Sequence, residues 1–282
     1  MRAERLTDVI TEHGEGALWD ERDGVLRCVD MLAGDVVTVD GDEVTARQNF
    51  GRIAAAWRPR RTGGMVVATE RGFSLTDSQG AVTALPAVFD DPGARMNEGG
   101  CSPDGHFYCG SMAYDTRPGG GSVYRLDPDH QVSTVADDVT ISNGLAWVPD
   151  GSFFYYVDTP TQAVSAVRLD AAGRFGEQRT VVSVPEDAGS PDGMTLDADG
   201  NLWVAMWGGS AVHCYSPSGE LLDTVEVDAR QVTSCAFGGS DYRTLFITTS
   251  REGLTDDDDP VAGSIFACTP GTVGFAAFPY AG

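Results

Sequence analysis

Lysine is absent from this 282-residue sequence, so its 19 basic residues are all arginine, against 42 aspartates and glutamates. The resulting formal net charge is −23. A chain this acidic repels polyanions such as nucleic acid and anionic membrane surfaces. We therefore expect neither of them as a partner.

Long apolar runs and paired cysteines are missing as well. No apolar run approaches the roughly 18 to 20 residues needed to cross a bilayer, and the N-terminus lacks the apolar core of a signal peptide. We therefore expect a soluble, cytoplasmic protein. The cysteines form no CxxC pair, which argues against a zinc knuckle or a redox motif. They are predicted to be buried, reduced packing residues: Cys28, Cys101, Cys109, Cys214, Cys235 and Cys268.

Glycine and proline are abundant, with 35 and 14 copies, which is typical of a fold with many tight turns. A segment consisting of a turn and then a strand recurs six times, at intervals of 40 to 49 residues. It occurs first at Gly24 ("DGVLRCVD") and last, in a degenerate form, around Arg243 ("YRTLFITTS"). Self-similarity at such a period indicates a repeat architecture.

Each repeat contains short β-branched and aromatic runs bounded by turn signals, which predicts about four antiparallel strands. Six such units closed in a ring make an all-β, six-bladed β-propeller, with residues 1–282 forming a single domain. No stretch shows a helical period. A two-sheet sandwich is the alternative, but it does not explain one period repeated six times.

Polar residues occupy one position of the repeat. Asn97, Asn143 and Asp192 lie eight residues before the turn glycines of three repeats, and Glu15 lies nine before that of the first. Taken singly, Asp or Asn before Gly is an ordinary turn residue. In register, these side chains are predicted to converge just ahead of the innermost strands, at one end of the central channel. His13 lies two residues before Glu15 and on a strand would share its face, but a surface position is the favoured prediction.

Converging carboxylates repel one another unless a cation or protons neutralise them. Two carboxylates and two carboxamides form a set of hard oxygen ligands, suited to Ca²⁺, Mg²⁺ or Mn²⁺, whereas Zn²⁺ usually prefers His or Cys. The sequence therefore predicts a divalent-metal site in the central channel.

Several segments together resemble the senescence marker protein 30/gluconolactonase family, which includes regucalcin and bacterial sugar lactonases. They are "GEGALWD", "RMNEGG", "ISNGLAW", "PDGMTLDADGNLWVA", "TSCAFGG" and "PYAG". The resemblance implies one divalent cation on Glu15, Asn143 and Asp192. Ca²⁺ is the first expectation, and Zn²⁺, Mn²⁺ and Mg²⁺ are the alternatives. The resemblance also implies that Asp192 acts as the general base.

The same resemblance implies substrate contacts from Arg95 and Asn97. Glu98 stands where relatives commonly carry Asp, and we expect it to contact substrate too, with altered hydrogen-bonding geometry. The glutamate-rich stretch of regucalcin is absent after Met112, so its lid contacts do not carry over.

The implied activity is metal-dependent opening of an aldonolactone, such as gluconolactone, xylonolactone or arabinonolactone, to the aldonic acid. No GxSxG motif is present, so no covalent nucleophile is indicated. A phosphotriesterase or a non-sugar lactonase using the same metal site is one alternative, and a non-catalytic calcium-binding propeller is another. We expect a monomer or a small homo-oligomer.

Overall fold

The computed structural model describes residues 1–282 and contains six four-stranded antiparallel sheets, the blades of a propeller. In blades 1 to 3 the strands follow the chain outwards from the axis. Blade 1 comprises β2 (Gly14–Asp20), β3 (Val25–Asp30), β4 (Asp35–Asp40) and β5 (Glu43–Asn49). Blade 2 comprises β6 (Ala54–Pro59), β7 (Met65–Thr69), β8 (Phe73–Thr76) and β9 (Val82–Ala84). Blade 3 comprises β10 (Ala94–Cys101), β11 (Phe107–Ala113), β12 (Gly121–Leu126) and β13 (Val132–Val139).

Blades 4 and 5 repeat this order, and blade 6 departs from it. Blade 4 comprises β14 (Ser142–Trp147), β15 (Phe154–Asp158), β16 (Ala163–Leu169) and β17 (Phe175–Ser183). Blade 5 comprises β18 (Ser190–Leu196), β19 (Leu202–Trp207), β20 (Ala211–Tyr215) and β21 (Leu221–Glu226). Blade 6 comprises β22 (Val232–Gly238), β23 (Thr244–Thr249) and β24 (Phe266–Cys268), and its outer strand is β1 (Glu4–Arg5) from the start of the chain.

The prediction of an all-β, six-bladed propeller is confirmed. The only helical segments are two 3₁₀ turns, Thr159–Thr161 and Glu186–Ala188. None of the helices has the length and apolar character that crossing a membrane requires.

Tight turns join the strands within each blade. Between β18 and β19, Asp197 Oδ1 accepts hydrogen bonds from the backbone N–H groups of Asp199 at 3.0 Å and Asn201 at 2.8 Å. Gly200 closes the turn at φ 82°, a backbone conformation that favours glycine. The recurring Asp-Gly of the sequence is therefore part of the turn that joins the first and second strands of a blade.

The hydrophobic core lies between neighbouring blades. Its largest cluster joins blades 1 to 3 around the fully buried Trp57, and a second one joins blades 5 and 6 through Trp203 and Phe237. Five cysteines are buried and Cys268 is half-buried, as expected of packing residues. The innermost strands pack side by side in the order β2, β6, β10, β14, β18 and β22, and β22 returns to β2. They enclose the central channel.

Candidate active site

One end of the channel opens into a pocket of about 470 Å³. Five of the residues singled out in the sequence line it: Glu15 from β2, Arg95 and Asn97 from β10, Asn143 from β14 and Asp192 from β18. Each of these side chains is buried. Four separate blades thus supply polar side chains to one pocket.

The polar positions lie within the innermost strands, not just ahead of them as predicted. Asn97, Asn143 and Asp192 sit where the pairing with the second strand shifts register, and Glu15 borders the same irregularity in β2. A β-bulge of this kind places two residues opposite one and re-aims a side chain. The bulge therefore turns these side chains towards the channel.

The glycines that follow two of these residues allow neighbouring strands to approach. A Cβ on Gly144 would lie 2.6 Å from the carbonyl oxygen of Asp192, and one on Gly193 would lie 2.8 Å from that of Thr233. No real Cβ tolerates such contacts. The Asn-Gly and Asp-Gly pairs thus combine an oxygen ligand with room for the next blade.

Hydrogen bonds connect the polar side chains across three blades. Asn97 Nδ2 donates to Asn143 Oδ1 at 3.0 Å, and Asn143 Nδ2 donates to Thr159 Oγ1 at 2.8 Å. Thr159 Oγ1 in turn donates to the carbonyl oxygen of Pro191, next to Asp192, at 2.9 Å. Thr159 and Asn97 together fix the orientation of the Asn143 amide, because one holds its Nδ2 and the other its Oδ1.

Arg95 is fixed in the same wall. Its Nη1 donates to Asn97 Oδ1 at 2.6 Å and to the carbonyl oxygen of Met96 at 3.0 Å. Burial lowers the pKa of Arg95, although nearby carboxylates oppose the shift. Its guanidinium is a rigidly held donor at the pocket wall.

The two carboxyl groups of the pocket are strongly perturbed. Burial raises the pKa of Glu15, and burial together with repulsion from Glu15 and Glu98 raises the pKa of Asp192 well above its ordinary value. Glu15 accepts one hydrogen bond, from Gly16 N–H at 2.9 Å, whereas Asp192 Oδ1 has no partner. Two buried carboxyl groups with free acceptor capacity need protons or a cation to neutralise them.

Glu98 is placed apart from the residues expected to act with it. It does not line the pocket; it lines a deeper cavity of about 80 Å³ together with Arg58 and Ser234. Its Oε2 has no hydrogen-bond partner, and burial raises its pKa well above the ordinary value. The bulge after Met96 breaks the strand alternation, so Asn97 and Glu98 serve different parts of the channel.

His13 and Glu252 line the pocket as well, although the sequence favoured a surface position for His13 and gave Glu252 no role. His13 is 6% exposed and lines the pocket, so its predicted surface position is wrong. Its Nδ1 lies 3.1 Å from Glu252 Oε2 and 2.9 Å from Ser250 Oγ. The spacing of His13 from Glu15 was a usable signal, because both precede the same bulge.

A divalent cation fits the oxygen groups of Glu15, Asn143 and Asp192. They combine two buried carboxyl groups, one with an unpartnered oxygen, with a carboxamide oxygen, which is the donor chemistry of Ca²⁺ or Mg²⁺ sites. No cluster of three or more His, Cys, Asp or Glu side chains is arranged to hold a metal ion. Among the three candidate ligands, only Glu15 and Asp192 are of those residue types, since Asn143 is a carboxamide.

The chain is similar to known proteins over nearly its whole length. The family model described as "SMP-30/Gluconolactonase/LRE-like region" matches residues 13–251. Regucalcin from Danio rerio is 35% identical over 281 residues, covering 96% of this chain and 95% of the relative. YvrE of Bacillus subtilis, whose name assigns it provisionally as a sugar lactone lactonase, is 33% identical over 279 residues, covering 95% of each chain.

A solved structure of a calcium-binding protein, regucalcin from Agrobacterium tumefaciens, superposes with a TM-score of 0.90. It is 28% identical in sequence, and the match covers 99% of this chain and 97% of that one. The family resemblance inferred from the sequence motifs is thereby confirmed. The chain belongs to the SMP-30/gluconolactonase/LRE-like family.

Proposed function

We propose that this protein is a divalent-metal-dependent lactonase that opens a sugar lactone to the aldonic acid. The observation that carries the proposal is the carboxyl group of Asp192. It is 5% exposed, lies on the pocket wall with Glu15 and Asn143, and leaves Oδ1 without a hydrogen-bond partner. The relative named for sugar lactone hydrolysis supports the same reaction class.

Glu15, Asn143 and Asp192 would hold the cation. Ca²⁺ is our first choice, because all three offer oxygen and a structural relative is named as calcium-binding. When bound, the cation supplies Lewis acidity towards a carbonyl oxygen and lowers the pKa of a water molecule.

Asp192 would act as the general base. Its Oδ1 accepts a proton from the water whose oxygen attacks the lactone carbonyl carbon, and the bond from that carbon to the ring oxygen then breaks. The released oxygen takes up a proton to give the hydroxyl of the open aldonic acid. A positioned base of this kind contributes about 10²- to 10⁴-fold to the rate.

Arg95 and Asn97 would orient the substrate. They line the pocket on β10 and are held to each other. Both amide hydrogens of Asn97 are donated to Ser142 and Asn143, so the free donors of Arg95 and the carboxamide oxygen of Asn97 are what the pair presents to the lactone. Glu98 is left out of these contacts, because its side chain lies in the deeper cavity.

The test is a substrate panel with one matched pair of variants. Gluconolactone, xylonolactone, arabinonolactone and paraoxon should be assayed with Ca²⁺, Mg²⁺, Mn²⁺ and Zn²⁺ after verified metal removal. We expect a sugar lactone to be the best substrate, and Asp192→Asn to lose at least about 100-fold in kcat. Asp197→Asn, the same change at a buried turn residue outside the pocket, should retain most of the activity per folded molecule.

Preference for paraoxon would move the assignment to phosphotriester hydrolysis. Undiminished turnover by the cation-free protein would contradict the metal dependence. Full activity in Asp192→Asn would exclude that residue as the base.

A further inference from the structure

One wall of the pocket is not used by the proposed reaction. It consists of His13, Ser250, Glu252 and Trp207, of which His13, Glu252 and Trp207 line the pocket. His13 precedes β2 and Ser250 follows β23, and the two pair as an antiparallel bridge. Residues from opposite ends of the chain therefore form this wall, which we call the acidic corner.

The acidic corner is held in place from several directions. Ser250 Oγ accepts from Glu252 N–H at 3.0 Å. Gln231 Nε2 donates to the carbonyl oxygens of Ser250 and Glu252, both at 3.1 Å. The backbone that carries the Glu252 carboxylate is therefore anchored, while 47% of its side chain remains exposed to the pocket and solvent.

His13 is oriented by the same residues. Its Nδ1 faces Ser250 Oγ at 2.9 Å and Glu252 Oε2 at 3.1 Å, and its Nε2 forms no hydrogen bond within the chain. The ring lies beside the indole of Trp207, with 5.8 Å between the centroids. The corner thus combines an accessible carboxylate, a free imidazole nitrogen and an aromatic face.

These groups match the chemistry of a polyol. A carboxylate accepts hydrogen bonds from hydroxyl groups, an imidazole nitrogen adds a further partner, and an aromatic face packs against C–H groups. The hydrogen bond with His13 lowers the pKa of Glu252, so the carboxylate is ionised at neutral pH. The same charge repels an anionic group placed near it.

We propose that the acidic corner binds the hydroxylated side chain of the lactone, and that Glu252 excludes lactones whose side chain ends in an anionic group. The proposal rests on the proposed function and names the substrate class within it. Arg95 is the pocket's only arginine, and Asn97 and the Met96 carbonyl already engage it. It attracts Glu252 and offsets part of that charge, but the two side chains form no ion pair, and the Glu252 carboxylate remains accessible to an approaching anion.

The experiment compares two lactones that differ in one terminal group. D-Glucono-1,4-lactone ends in a hydroxyl, and D-glucaro-1,4-lactone ends in a carboxylate. Glu252→Gln should lower kcat/KM for the neutral lactone several-fold, mainly through KM, because an amide is a weaker acceptor than a carboxylate. It should raise kcat/KM for the anionic lactone about tenfold, because the repulsion is removed.

Two controls separate a local effect from a general one. Glu177→Gln makes the same charge change on the exposed outer strand β17, and it should alter neither value. Salt screens exposed charges, so the preference of the wild type for the neutral lactone should shrink between 0.01 and about 0.5 M salt. The preference of Glu252→Gln should not depend on salt. Equal selectivity in the wild type and Glu252→Gln would overturn the proposal.

A binding measurement keeps the two proposals distinguishable. 1,5-Anhydroglucitol is a neutral polyol ring without a lactone carbonyl, and calorimetry or ligand-observed NMR reports its binding. Glu252-dependent binding without hydrolysis of any lactone would retain the acidic corner and refute the lactonase. Hydrolysis without Glu252-dependent selectivity would retain the lactonase and refute the acidic corner. Absence of hydrolysis together with absence of Glu252-dependent binding would refute both proposals.

Discussion

Asp192→Asn should stabilise the cation-free protein at pH 8, although it removes the base of the proposed reaction. Asp192 is 5% exposed, its Oδ1 has no partner, and the carboxyl groups of Glu15 and Glu98 repel its charge. A buried polar atom without a partner costs about 1–3 kcal/mol, and an ionised one costs more. Since the amide keeps only the smaller cost, we expect the free energy of unfolding to rise by about 1–2 kcal/mol.

Asp197→Asn is the matched control in the same blade. Asp197 is 1% exposed, but its Oδ2 accepts hydrogen bonds from Asn201, Trp203 and Thr272. Both carboxylate oxygens of Asp197 accept hydrogen bonds, whereas Asn has only one oxygen. In either orientation its NH₂ group would face existing donors. We expect a loss of about 2 kcal/mol or more, which is the opposite sign from the same chemical change at Asp192.

The difference in stability between Asp192→Asn and the wild type should depend on pH. Because burial raises the pKa values of Glu15 and Asp192, these two groups bind more protons in the folded protein than in the unfolded chain above pH 4.5, the ordinary value for Glu15. Their contribution to the free energy of unfolding of the cation-free wild type therefore falls as the pH rises through the folded-state values. The advantage of Asp192→Asn should close at pH 4 and widen towards pH 8.

Thermal unfolding after exhaustive chelation measures both effects. One kcal/mol corresponds to about 2–4 °C in a domain of this size class, so a gain of about 1–2 kcal/mol should make Asp192→Asn melt about 2–8 °C above the wild type at pH 8. Saturating Ca²⁺ should reverse the order, since a ligand at 100 times its Kd adds about 2.7 kcal/mol to the protein that binds it. A lower melting temperature for cation-free Asp192→Asn at pH 8 would refute the reasoning.

Two further substitutions test the framework around the site. Thr159→Val should weaken Ca²⁺ binding by about 10- to 100-fold in a calorimetric titration, because it removes the hydroxyl that orients Asn143, whereas Thr159→Ser should restore the affinity. Gly110→Ala would place a Cβ 1.8 Å from Ser142 Oγ, so we expect at least about 2 kcal/mol of destabilisation in urea unfolding. A wild-type midpoint for Gly110→Ala would show that blades 3 and 4 are not packed as described.

The fold and part of the site could be predicted because their signals are local. An Asp-Gly hairpin ends the first strand of a blade at a fixed distance from the bulge, so counting back from Gly200 finds Asp192 and counting back from Gly151 finds Asn143. The prediction that these residues lie ahead of the strand was wrong. Strand pairing, which continues through the bulge, is set by the partner strand and not by the local sequence.

The acidic corner could not be found in this way. Glu252 follows the degenerate sixth repeat, which has no turn glycine from which to count, and its contact with His13 joins distant parts of the chain. Glu98 illustrates a different obstacle. It adjoins Asn97 in sequence, yet a one-residue irregularity in pairing sends it to the deeper cavity.

Blade 6 combines strands from the two ends of the chain, and its assembly determines when the cation ligands can come together. Glu15 belongs to blade 1 and Asp192 to blade 5, and blade 6 lies between them, built from β22, β23, β24 and the N-terminal β1. A nascent chain halted before Val232 already contains every candidate ligand, but it lacks β22, β23 and β24, the strands that join the first and fifth blades. Cation uptake should therefore be among the last events of maturation, and it would report that synthesis has reached the end of the ring.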